Sequence, residues 1–209
     1  MVGMVPQAPP TYLNNFDMCG LFDQGTWHAP RLDYTLSMLT SVPQSMASGR
    51  LWQPRTSLSA CTRGVVARST LGLELNDSQR LNFFPASPLC SITWWFAGHS
   101  EMLALGEAKS LHPALCARTP LPMTCMFSGP QIGPTVSWNP GPAHAMMLLL
   151  LPDALQAMTG IDPAPWLNRM VDATEVLPPM WLDMCHTVQL APDDDCRVRL
   201  IEDFLDPLW

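Results

Sequence analysis

The stretch Ala143-His144-Ala145-Met146-Met147-Leu148-Leu149-Leu150-Leu151-Pro152-Asp153-Ala154-Leu155-Gln156-Ala157-Met158-Thr159-Gly160 decides how this chain folds. Its first nine residues are the longest apolar run of the sequence, interrupted by His144 and closed by Pro152. A membrane span needs about 18 apolar residues in a row, so the run reads as a buried strand. Pro152 can occupy the first position of a helix, Leu155 and Met158 share one face of it, and Gly160 can stop it. At Pro152 the apolar period therefore switches from two to about 3.6.

Upstream of the switch the chain reads as short extended pieces with turn signals between them. They are Gly64 to Leu71, Arg80 to Phe84 ended by Pro85, and Leu89 to Phe96 stopped by Gly98. Met123 to Phe127 follows, closed by Ser128-Gly129-Pro130, then Pro134 to Trp138 before the turn Asn139-Pro140-Gly141-Pro142. Such a series predicts a jelly-roll-like β-barrel or sandwich. Downstream, Asp162 is placed to cap a short helix through Trp166 and Met170, and Pro178-Pro179 opens one through Trp181, Leu182, Cys185 and Val188. Asp193 to Asp195 put acidic groups at the start of a last helix, where the macrodipole favours them. That helix carries Val198, Ile201 and Leu205 on one stripe. The expectation is an α+β domain over 55–209, β-rich over 60–151 and helical over 152–209. Residues 1–54 hold Pro6, Pro9, Pro10, Pro30, Pro43 and Pro54 and read as an irregular leader.

Composition narrows the functions. The net charge is −7, and Lys109 is the single lysine beside ten scattered arginines. Nucleic-acid binding needs a basic face to replace phosphate counterions, and this balance argues against direct binding. Hydrophobic residues make up 47% and charged ones 14%, so an exposed apolar patch and a partner are expected. The seven cysteines show no CxxC spacing, and the N-terminus lacks the pattern of a signal peptide. They read as reduced thiols of a cytoplasmic protein. None of His28, His99, His112, His144 and His186 stands at a metal-ligand spacing, and no cofactor is expected. There is no G-x-S-x-G elbow and no glycine-rich phosphate loop, so the chain is not expected to be an enzyme.

Several motifs resemble the N-terminal domain of AraC-family transcription regulators. They are Leu81-Asn82-Phe83-Phe84-Pro85-Ala86-Ser87-Pro88 with Ile92-Thr93-Trp94-Trp95-Phe96 and Gly98, and then Phe127-Ser128-Gly129-Pro130-Gln131. The strand-to-helix junction Leu148 to Gly160 and the final Arg199-Leu200-Ile201-Glu202-Asp203-Phe204-Leu205 complete the likeness, which covers roughly 150 residues. The resemblance implies a bacterial ligand-sensing and dimerising domain, with DNA read only by two helix-turn-helix units that would follow Trp209 and are missing from this chain. It implies an unknown small-molecule effector and a homodimer, with no membrane association.

Within that reading the ligand-pocket candidates are Trp94, Trp95, Phe96, Gln131 and Trp138, because an aromatic-rich barrel offers an apolar pocket. Alternation sends Trp94 and Phe96 to one face and Trp95 to the other, so at least one face is ordinary core. Trp181, Met184, Val188, Ile201 and Leu205 are the dimer-interface candidates, with packing against the barrel as the competing role. A stand-alone small-molecule-binding β-barrel is the alternative function, and a cryptic enzyme the third.

Overall fold

The computed structural model describes residues 48–104, 116–122 and 124–209. Among them are ten strands: β1 (Ser48–Trp52), β2 (Thr62–Ser69), β3 (Leu81–Phe84), β4 (Cys90–Ala97), β5 (Glu101–Leu103), β6 (Arg118–Pro120), β7 (Cys125–Ser128), β8 (Thr135–Trp138), β9 (His144–Leu150) and β10 (Met170–Asp172). Three α-helices follow the long strand: α1 (Pro152–Thr159), α2 (Pro179–Leu190) and α3 (Asp194–Leu205). The strands form two antiparallel sheets, ordered β1-β2-β9-β4-β7-β10 and β3-β8-β5-β6. The α+β class holds, but the barrel does not form. The two sheets are separate, and Pro85, Pro88 and Pro120 sit at or beside strand ends where a missing N–H interrupts ladder pairing.

Period-two alternation organises the larger sheet into two different faces. In β9, Met146, Leu148 and Leu150 turn to the helices, as do Cys90, Ile92 and Trp94 in β4 and Phe127 in β7. They meet Leu155 of α1, Trp181, Met184 and Val188 of α2, and Val198, Ile201 and Leu205 of α3 in one apolar core. The order is helices, six-stranded sheet, four-stranded sheet. Pro152 stands at the start of α1, and Gly160 ends it at φ +75°, a backbone region open to glycine at little cost. Asp193 caps α3 by accepting from the Cys196 N–H at 2.7 Å.

Three readings of the chain change here. Residues 48–52 are the edge strand β1 and belong with the domain; residues 1–47, which hold the rest of the expected leader, lie outside the described residues, as does Met123. Trp52 Nε1 donates to Asp195 at 2.8 Å, and Arg55 pairs with Glu202, Asp203 and Asp206 at 3.0, 2.6 and 2.7 Å, so this segment is tied to α3. The helix expected through Trp166 and Met170 is a single 3-10 turn at Ala164–Trp166. Its N-cap is Pro163, and Asp162, one residue before, accepts from the Ala164 N–H at 2.9 Å. Asn168 then adopts φ +58°, which breaks the helix, and β10 pairs with β7. The pieces 101–103 and 118–120 hold three residues each, too few for a period-two pattern to show in the sequence.

Candidate functional site

The face of the six-stranded sheet turned away from the helices meets the smaller sheet across a cavity of about 120 Å³. Its floor is built in rows by strand register. Arg68, Ala145 and Trp95 stand abreast on β2, β9 and β4. The next row is Val66, Met147, Thr93 and Met126, and a third holds Leu149, Ser91, Ser128 and Met170. Asn82, Ser137 and Met102 form one row of the opposing sheet, and Phe84 and Thr135 another. Ala145 and Met147 lie on β9, which has a hydrogen-bonded strand on each side, yet both keep some exposure. The two sheets thus leave space over this central strand that side chains do not fill.

One end of the cavity is polar. Arg68 Nη1 donates to Asn82 Oδ1, and Nη2 donates to the Gln79 carbonyl at 3.0 Å. Asn82 Nδ2 donates to Asn139 Oδ1 at 2.6 Å, and Asn139 Nδ2 to the His99 carbonyl at 3.0 Å. Burial pushes the Arg68 guanidinium below its usual pKa. Gln131 also lines the cavity, with Nε2 donating to the Gly129 carbonyl at 3.0 Å. In the middle row the Thr93 hydroxyl is buried with no hydrogen-bond partner. An orphaned buried hydroxyl costs roughly 1–3 kcal/mol, so it marks a place where a water or ligand would be favoured.

The structure separates the five pocket candidates. Trp95 and Gln131 face the cavity. Trp94 does not: it is fully buried on the helix side, where Nε1 donates to the Cys185 carbonyl at 3.2 Å. Phe96 also lies on that side, under the Arg197 guanidinium at 3.5 Å and beside His144. Trp138 points away from the cavity, since its neighbours Ser137 and Asn139 point in, and Arg118 stacks over its ring at 5.1 Å. The five interface candidates have their places in the same way. Trp181, Met184, Val188, Ile201 and Leu205 all pack in the chain's own core, because both helices spend their apolar stripe on the sheet. Arg68 and Thr93 were missed. The alternation Val66, Arg68, Thr70 puts Arg68 on the face of Val66, and Ser91, Thr93, Trp95 does the same for Thr93, but only the strand order shows that both strands are inner ones.

Nucleophilic and metal chemistry can be judged from the same residues. Burial pushes the Cys90 thiol up to about 12 and, with a contribution from Asp206, the Cys61 thiol up to about 11, so neither is a thiolate near neutral pH. Among the described residues, the cavity lining contains no His, Cys, Asp or Glu, and no three such groups cluster. Those side chains are the usual holders of iron or zinc, so the described lining does not fit a metal ion. His144 Nε2 lies 3.1 Å from Asp194 on the opposite side of the sheet, with Arg197 on the other carboxylate oxygen at 2.6 Å. That group fastens α3 to β9. Among the described residues, no helix is long and apolar enough to cross a membrane.

No family model matches the sequence, and no curated protein matches it. Solved structures do. One is a hydroxypropylphosphonic acid epoxidase from S. wedmorenis, at 9% identity over 49% of this chain and 50% of that one, with a TM-score of 0.34. Another is Streptomyces albus HEPD with 2-hydroxyethylphosphonate and Fe(II) bound, at 14% identity over 49% and 23%, TM-score 0.31. A third is an RmlC-like cupin protein from Desulfovibrio desulfuricans, at 10% identity over 60% and 97%, TM-score 0.31. The match spans about half the length of the epoxidase. One of the three is named as a cupin, and none of them is named as an AraC-type regulator. They also correct the expectation that the chain is no enzyme, since proteins named for an epoxidase activity and a bound substrate are among them. The physical reason is plain: sandwich sites draw on residues from several strands, so the lack of a contiguous motif says little about catalysis.

Proposed function

We propose that this chain is a small-molecule-binding β-sandwich, with the inter-sheet cavity as its binding site. The observation that carries the reading is the unfilled inner face of the central strand β9, bounded by a half-buried cation, an aromatic ring and an orphaned hydroxyl. Small packed sandwiches fill such a space with side chains. A mostly apolar cavity with a few convergent polar groups is the usual form of a ligand site. For scale, an engineered apolar cavity of about 150 Å³ takes benzene. A thermal-shift screen of small metabolites tests the reading. A ligand at 100 times its dissociation constant adds about 2.7 kcal/mol of stability. At least one compound is expected to raise the melting temperature of the native chain and not that of Ala145→Leu, which fills the floor between Arg68 and Trp95. A screen without a hit, or hits that ignore the substitution, would count against it.

A sensor role of the AraC type is a second reading, favoured by one feature. The strands β4 and β9 line the cavity on one face and carry α3 on the other. Occupancy of the cavity could therefore reach the last helix in two steps. If so, a bound ligand slows amide exchange in α3 as well as in the cavity strands; unchanged exchange in α3 speaks against it.

A further inference from the structure

The charge inside the cavity says more about the ligand than its volume does. Arg68 is the one charged side chain in the described lining. Its guanidinium has five N–H donors, and two are engaged, by the Asn82 amide oxygen and the Gln79 carbonyl, both neutral. No carboxylate among the described residues pairs with it. Arg68 is half-buried, and even partial desolvation of an uncompensated cation is costly, so such a guanidinium is ordinarily paired. Trp95 stands two strands away in the same row, about 10 Å across at the usual strand spacing. The residue between them is Ala145, whose methyl leaves that gap open.

We propose that the cavity takes a small organic monoanion, a carboxylate with a flat apolar body, whose oxyanion meets Arg68 while its body lies across Ala145 against Trp95. The inference rests on the cavity being a ligand site. One guanidinium balances one negative charge, and a dianion such as a phosphate ester would leave a charge uncompensated in apolar surroundings. The planar fork of arginine suits a carboxylate held by two N–H donors. The Asn82–Asn139 amides hold that fork in place from the opposing sheet.

The experiment compares phenylacetate, phenylacetamide and toluene by calorimetric titration on the whole chain, on Arg68→Met and on Arg68→Lys. A charge-assisted hydrogen bond is worth about 1.5–3 kcal/mol, so phenylacetate should bind at least roughly tenfold tighter than its amide. Arg68→Met should bring that ratio to about one, and Arg68→Lys should keep it above one. The ratio is internal to each variant, so a merely structural loss from removing the link to Asn82 does not move it. Should Arg68→Met fail to fold, the Arg68→Lys ratio decides. Equal binding of acid and amide by the native chain, or a ratio untouched by Arg68→Met, overturns the anion inference and leaves the cavity site standing. Failure of all three probes to bind overturns both.

Discussion

The contrast between two adjacent tryptophans condenses the account at the level of single residues. Trp94 and Trp95 differ by one position, and alternation sends one into the sheet–helix core and the other into the inter-sheet cavity. Trp94→Ala should therefore cost about 3–5 kcal/mol, the range for emptying a packed core site. Trp95→Ala enlarges a space that already exists and should cost distinctly less, while weakening ligand binding. Urea unfolding of the two variants checks the order, and equal losses would contradict it. The alternation itself is legible in Leu89 to Phe96; the choice of core face is obscured because each face carries a tryptophan, although Ser91 and Thr93 make the Trp95 face the more polar one. Arg68 was passed over for a related reason: a lone arginine in a strand reads as a solvated edge until β1 and β9 are seen to flank it on both sides.

At the scale of elements, the junction at Pro152 was the most legible feature. Proline, an apolar face and a left-handed glycine each act within a few residues, so local sequence carried the whole helix. The strands β5, β6 and β10 depend on partners distant in the chain, and three residues hold too little periodicity to show a strand. The fastening of α3 was equally invisible, since it joins Asp194 to His144 and the Arg55 segment to Glu202 and its neighbours. It has a consequence for pH. Burial raises the Asp194 carboxyl, but hydrogen bonds and charge from His144 and Arg197 outweigh it and hold the pKa below the usual value of 3.8. A carboxyl depressed in the folded state stabilises above its unfolded pKa and loses that contribution as pH falls through the folded one. Thermal stability should therefore drop below about pH 4. Asp194→Asn should lower the melting temperature at neutral pH and flatten the acid side. A parallel downward shift at every pH would show that the carboxylate charge is not what holds α3.

For the whole molecule, the three layers determine which faces are free to act. The helical layer spends Trp181 and its neighbours on the sheet. Trp181→Ala should lower the unfolding free energy by about 3–5 kcal/mol and leave the oligomeric state of the folded fraction unchanged. Unfolding by urea and light scattering read the two effects separately; a change of mass without loss of stability would restore these residues to an interface. What the layers leave unfilled is the space between the sheets. Whether that space takes a ligand is read by methyl NMR of the protein labelled at the methionine methyl carbons, titrated with toluene and phenylacetate. Met102, Met126, Met147 and Met170 line the cavity, while Met158 and Met184 lie in the sheet–helix core. Saturable shifts are expected in the first four, with the latter two barely moved. No saturable shift in the cavity methionines, or shifts confined to the helical side, would contradict it.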